Sequence, residues 1–224
     1  MIDKLYAYRF ELVFINLVAL LFGSLVIPPS WYESVVSPVL VLLFILMGMV
    51  FISKRKRLFH LFAATFVLTT IVSVLSFLQI GDVKITELVR ASIVLPYFVI
   101  VTYELIRQIW VAEVIDKNAI LGVMSGYMCL GFIGTLLFMT IETVVPGSFY
   151  GNIPEGTAMN SDDLLYLSYI TLMSIGYGDF GPVTLIAKKA SMLIGTLGQF
   201  YMVIIIAVVV SKYVNTQDQS NAPK

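Results

Sequence analysis

Long apolar blocks separated by short polar interruptions dominate the chain, and six of them meet or approach the roughly 20 residues a helix needs to cross a bilayer core. They cover 8–27, 35–52, 58–80, 88–110, 119–141 and 185–213. The second is the shortest. Pro28, Pro29 and Pro38 mark its start, and the block Lys54, Arg55, Lys56 and Arg57 marks its end. A further apolar segment, 162–173, lies between the fifth and sixth blocks and is too short to cross, which predicts a re-entrant helix. The pattern predicts an all-α membrane protein: six transmembrane helices, with a re-entrant helix and loop between helices 5 and 6.

Composition agrees with that pattern. Hydrophobic residues make up 59% of the 224 positions and charged residues 12%, with a mean hydropathy of +0.94. These values exclude an ordinary soluble domain. A formal net charge of zero gives no electrostatic support to a nucleic-acid role. Cys129 is the single cysteine, so no intrachain disulfide is possible, and its apolar setting predicts a small buried residue. Lys4 and Arg9 precede a first apolar run that continues without a small-residue cleavage site, so it reads as a retained helix and not a signal peptide.

The cations set the orientation. Lys4, Arg9, the 54–57 block, Arg107, Lys117, Lys212 and Lys224 fall on one side of a six-helix threading, while Lys84, Arg90, Lys188 and Lys189 fall on or near the other. The expectation is a multi-pass protein of the cell membrane with both termini cytoplasmic. The 54–57 block is also a candidate contact for anionic lipid head groups.

The connection between the fifth and sixth blocks divides into a polar half and an apolar half. In the first, Pro146, Gly147, Ser148, Pro154 and Gly156 supply turn chemistry. The second opens with Ser161 or Asp162 as helix cap and Asp163 in the first turn, and the half-helix ends at Met173. Its last carbonyls would turn partial negative charge toward the membrane interior. Next comes the stretch from Thr171 to Asp179, with Gly176 and Gly178 on either side of Tyr177. Glycines at alternate positions permit alternating backbone handedness, which turns successive carbonyls toward one axis. A ring of such carbonyls replaces the hydration shell of a cation.

At these residues the sequence resembles the pore region of tetrameric potassium channels, whose filter is written T-x-x-T-V-G-Y-G-D. Thr171 matches the threonine of the pore helix, Ser174 the hydroxyl at the inner entrance, and Ile175 the valine. Gly176, Tyr177, Gly178 and Asp179 match the core, and Pro182, Val183 and Thr184 match the proline and its neighbours on the C-terminal side of the filter. The resemblance implies K+ binding by the carbonyls of Ser174, Ile175, Gly176 and Tyr177 and by the Ser174 hydroxyl, with Gly178 shaping the outer mouth. K+ would be the permeant ion, with no cofactor. It further implies filter support from Thr171, Asp179 and Tyr166, and a gate hinge at Gly198, for which close helix packing is the equal alternative. Where the family pairs two tryptophans behind the filter, this chain has Tyr166 and Leu167. Ile205, Ile206 and Ala207 stand where a bending proline pair is found. One chain holds one pore loop, so the expectation is a cyclic homotetramer.

Six helices with the loop between the last two divide the chain into three parts. Residues 1–117 would form a voltage-sensor-like four-helix bundle with an interfacial linker, 118–214 the pore domain, and 215–224 a short cytoplasmic tail. Voltage sensing moves about 2.3 kcal/mol per charge per 100 mV and uses several arginines on the fourth helix. Here Arg90 is followed by no cation until Arg107, so little or no intrinsic voltage sensing is expected. Glu104 and Arg107 are spaced as a solvated ion pair, and Asn16 as an interhelical hydrogen-bonding residue. No nucleophile-base set or metal-ligand cluster supports catalysis. Two alternatives stay open: a poorly selective cation channel, because Leu167 cannot bond Tyr177, and a non-conducting subunit or scaffold.

Overall fold

The computed structural model describes residues 8–28, 31–52, 56–78, 82–111, 117–151 and 159–221. Lys54 and Arg55, half of the expected lipid contact, lie outside the described residues, as do Pro154 and Gly156 of the polar loop and residues 1–7 and 222–224. Helix α1 is Arg9–Phe22, tightened at its end into a 3₁₀ turn at Gly23–Leu25. A π-helical turn at Tyr32–Val36 opens α2, Ser37–Ile52, and α3 is Lys56–Phe77. Helix α4 is Val83–Val111, α5 is Lys117–Val144 and α6 is the short Ser161–Leu172. The last rod consists of α7, Leu185–Phe200, a π-helical turn at Tyr201–Ile205, and α8, Ile206–Asn221. Two three-residue strands, β1 (Phe149–Gly151) and β2 (Phe180–Pro182), pair antiparallel with Tyr150 opposite Gly181.

Among the described residues, four helices are long and apolar enough to cross a membrane: Tyr32–Met49, Lys84–Val111, Asn118–Val144 and Leu185–Lys212. Helix α1 has 14 residues, and in α3 the apolar stretch Phe62–Ser76 is shorter than a crossing. Gly23 and the 3₁₀ turn tighten the end of α1 before Pro28, and Lys56, Arg57 and His60 occupy the first turns of α3. Other boundaries move as well. Helix α4 begins at Val83 and not at residue 88, which puts Arg90 about two turns inside it. The expected tail continues as helix through Asn221.

Helices α1 to α4 close around Val13, Leu17, Phe44, Ile45, Phe62, Tyr97, Phe98 and Leu105, and Cys129 of α5 is buried against the same cluster, as its apolar setting predicts. The rings of Phe44 and Phe98 stack with centroids 4.4 Å apart, and Phe98 meets Phe132 of α5 at 5.7 Å. The Tyr97 hydroxyl donates to the carbonyls of Phe44 (3.1 Å) and Ile45 (2.9 Å). Asn16 is buried, as its candidate role requires, but its Oδ1 has no partner among the described residues.

At the far end of α4 a polar chain replaces the expected solvated pair. Arg107 donates to Glu104 at 3.2 Å, Gln108 to Glu104 at 3.5 Å, and Arg9 to Gln108 at 3.2 Å. Glu104 is 7% exposed, so its carboxylate is held by donors and not by water. Lys212 of α8 donates to the carbonyl of Trp110 near the α4 C-terminus, where a cation is favoured by the negative end of the helix dipole.

Candidate functional site

Helix α6 is held in place from three directions. Its apolar side, Leu164, Leu167, Ile170 and Leu172, is buried with Leu130, Phe138 and Ile141 of α5 and with Ala187, Ala190 and Ile194 of α7. Two side chains tie it to α5: Ser168 Oγ donates to the Gly131 carbonyl at 2.7 Å, and the Tyr169 hydroxyl to the Met128 carbonyl at 2.8 Å. These contacts need close approach, because a Cβ at Gly131 would collide with the Tyr169 ring and one at Gly134 with Ser168. The N-terminus is closed by a capping box between Asn160 and Asp163: the Asp163 N–H donates to Asn160 at 2.8 Å and the Asn160 N–H to Asp163 at 3.0 Å. Neither Ser161 nor Asp162, the expected caps, fills that place. Asn160 does so because only its extended backbone sits one step outside the first helical turn. Burial, then the neighbouring Asp163 charge, raises the Asp162 carboxyl above its ordinary range.

Beyond Leu172 the chain leaves the helix and runs to Asp179 without regular structure. Ser174, Gly176 and Gly178 have φ of +56°, +56° and +86°, while Ile175 and Tyr177 keep negative φ. Five consecutive residues therefore alternate in handedness. The first N–H groups turn back to α6: Ser174 donates to Thr171 at 3.1 Å, and Ile175 and Gly176 donate to Ile170 at 2.9 and 3.3 Å. With the N–H groups directed into the helix end, the intervening carbonyls are left for another partner. All five residues from 174 to 178 are exposed in the single chain.

The expected supports divide. Tyr166 donates to Asp179 Oδ2 at 2.8 Å, and its ring meets Phe180 edge-on at 5.5 Å. That bond, with desolvation and the Asp179 charge as lesser causes, raises the phenol pKa, so it stays protonated as a donor. The other oxygen, Asp179 Oδ1, is buried with no partner among the described residues. Leu167 is 2% exposed and apolar, and Tyr177 is 72% exposed. Thr171 contributes its carbonyl to the loop's first turn. On the far side, β1 and β2 tie the exit of the loop to the end of α5. Glu142 accepts from the N–H groups of Gly147 (2.7 Å) and Phe149 (3.2 Å), and Thr184 caps α7.

Gly198 serves as a packing seat. A Cβ there would overlap the Leu172 carbonyl, so the missing side chain lets α7 lie directly against the end of α6. The backbone stays α-helical through Phe200, and the departure from α geometry comes at Tyr201–Ile205. Tyr201 anchors that turn by donating to the Val123 carbonyl at 2.5 Å. One contact is not foreshadowed by the sequence pattern: Gln199 Nε2 donates to Ser174 Oγ at 2.7 Å. Its one signal is that Gln199 is the single amide side chain in 185–213.

The arrangement can present a row of backbone carbonyls and one hydroxyl to a cation, backed by a helix C-terminus. No curated protein and no solved structure matches the chain. Residues 129–215, from the middle of α5 into α8, match the family model described as ion channel, which supports an ion-channel family for the segment that holds this site.

Proposed function

We propose that the protein is a potassium-selective channel of the cell membrane in which four identical chains surround an axis. K+ crosses passively through the carbonyls of Ser174, Ile175, Gly176 and Tyr177 and the hydroxyl of Ser174, with Gly178 at the outer mouth. The observation that carries this reading is the alternating handedness of residues 174–178 at the end of α6. A second feature supports assembly: α7 and the turn after it leave Met192, Phe200 and Val203 exposed in one chain, apolar surface that neighbouring copies can cover. In the same reading α6 is re-entrant, α1 and α3 complete six spans, both termini are cytoplasmic, and α1–α4 sense voltage weakly or not at all. Lys56 and Arg57, with Lys54 and Arg55, would meet anionic lipid.

Purified protein in liposomes should carry K+ down its gradient, and Gly176→Ala should abolish that flux. Absence of flux from a verified tetramer would overturn the reading in favour of a non-conducting subunit. The alternative of a poorly selective cation channel is favoured by Leu167, which is buried behind the loop and offers Tyr177 no donor. Bi-ionic reversal potentials for K+ against Na+ decide between the two, and near-equal permeability selects the alternative.

A further inference from the structure

We propose that Gln199 is a positioning residue that sets cation selectivity by holding the Ser174 hydroxyl, an inference that rests on the channel reading above. The two side chains come from different elements, 25 positions apart, and meet at 2.7 Å. Gly198 makes the meeting possible. Because α7 lies directly on the Leu172 carbonyl at that glycine, the next residue along α7 sits at the foot of the 173–179 loop, within reach of Ser174.

Ser174 needs such a partner. It is the one non-glycine residue with positive φ among the described residues, a conformation that costs an L-residue about 1 kcal/mol. Its backbone N–H is already committed to Thr171, so the side-chain oxygen is the group that remains to be held. A serine hydroxyl has two acceptor lone pairs and one rotatable proton. The Gln199 amide holds the oxygen by one lone pair and bars the proton from that side, leaving the other lone pair for a cation at the inner entrance. In a fourfold assembly this gives four hydroxyl oxygens in one orientation, each backed by an amide whose Oε1 remains free to accept. Without the donor, nothing outside the loop holds the oxygen at the inner entrance, and the ligand is less well placed.

The test is a double-mutant cycle on the K+/Na+ permeability ratio of the full chain in bilayers, using Gln199→Met, which keeps length and removes the donor, together with Ser174→Ala. Gln199→Met should lower the ratio about tenfold, the size of one lost hydrogen bond of ordinary net strength per permeation site. In the Ser174→Ala background it should change the ratio less than twofold, because the group it acts through is gone. A Gln199→Met tetramer with a ratio within twofold of the parent would overturn the inference. So would effects of Gln199→Met and Ser174→Ala that multiply. If the parent itself fails to prefer K+, the channel reading falls first, so the two failures are distinguishable.

Discussion

The bundle of α1–α4 and the segment from α5 to α7 both close around apolar cores, yet they fix their geometry by different means. In the bundle most of the defining contacts are ring against ring, with Phe44 stacked on Phe98 and Phe62 tilted against Tyr97 at 4.6 Å, while the Tyr97 hydroxyl is aimed at the carbonyls of Phe44 and Ile45. Such packing responds to volume and tolerates small shifts. In the second region glycines accept close neighbours, and hydroxyls are aimed at carbonyls: Ser168 on Gly131, Tyr169 on Met128, Tyr201 on Val123. Those bonds bracket a loop whose alternating φ values have no helix or sheet ladder to maintain them. A core that only has to be filled can rely on dispersion, whereas a loop that has to place oxygens needs directional bonds.

The contrast is tested most severely at Gly198. Gly198→Ala pushes a Cβ into the Leu172 carbonyl, a backbone atom that cannot swing aside. The expected cost is about 3 kcal/mol, the upper end for overpacking, read as a lower thermal midpoint of the purified protein. Because the displaced atom belongs to the end of α6, the K+/Na+ permeability ratio should fall with it. A variant with unchanged midpoint and ratio would remove the packing-seat role.

Phe98→Ala probes the other side. Its side chain is buried between Phe44 and Phe132. In lipid the transfer part of the usual penalty is small, because acyl chains are as apolar as the core, and the cavity remains. A loss of about 2 kcal/mol in stability is expected, with the permeability ratio of the surviving channels unchanged within twofold. If the ratio fell as far as in Gly198→Ala, the two regions would not be mechanically separate.

A smaller effect is expected at Tyr166. Tyr166→Phe keeps the ring against Phe180 and deletes only the donor to Asp179. One exposed charge-assisted hydrogen bond per chain is lost, so the permeability ratio should fall by roughly threefold to fivefold, with no measurable change in midpoint. Tyr166→Trp restores a donor on a larger ring and should recover part of the loss. Equal ratios in parent and Tyr166→Phe would show that the bond does not brace the loop.

The same division decides what is legible in the sequence. Gly176, Gly178 and the order helix, loop, helix are legible because few sequences put two glycines around a tyrosine between apolar segments, and their positive φ values meet the need for alternation. Ser174 continues that alternation by one step, but a serine carries no sequence mark for positive φ, so its oxygen is readable and its backbone is not. Gln199 is hidden because its partner is 25 positions away and is reached through a packing contact. Asn160 has two equally good capping residues beside it, and composition cannot choose the register of a cap. In the bundle, apolar length is legible, but the place where α1 tightens at Gly23 depends on local turn geometry.

The smallest effect is expected from Arg90, and it bears on whether the bundle has any electrical role. Arg90 lines a cavity of about 160 Å³ between the bundle and the start of α6, shared with Glu33, Thr69 and Asp162. It makes no ion pair among the described residues. Moving one charge through the whole of a 100 mV field supplies about 2.3 kcal/mol, and a charge confined to one end of a helix traverses only a fraction of it. Steep gating needs three to four such charges per subunit, and no other lysine or arginine follows on α4 until Arg107, whose guanidinium is held by Glu104. Conductance between about −100 and +100 mV should therefore lack the steep rise that three to four gating charges per subunit produce, and Arg90→Gln should leave that dependence unchanged. A steep conductance-voltage relation that disappears in Arg90→Gln would show that one arginine suffices, and the bundle would then act on the loop region electrically.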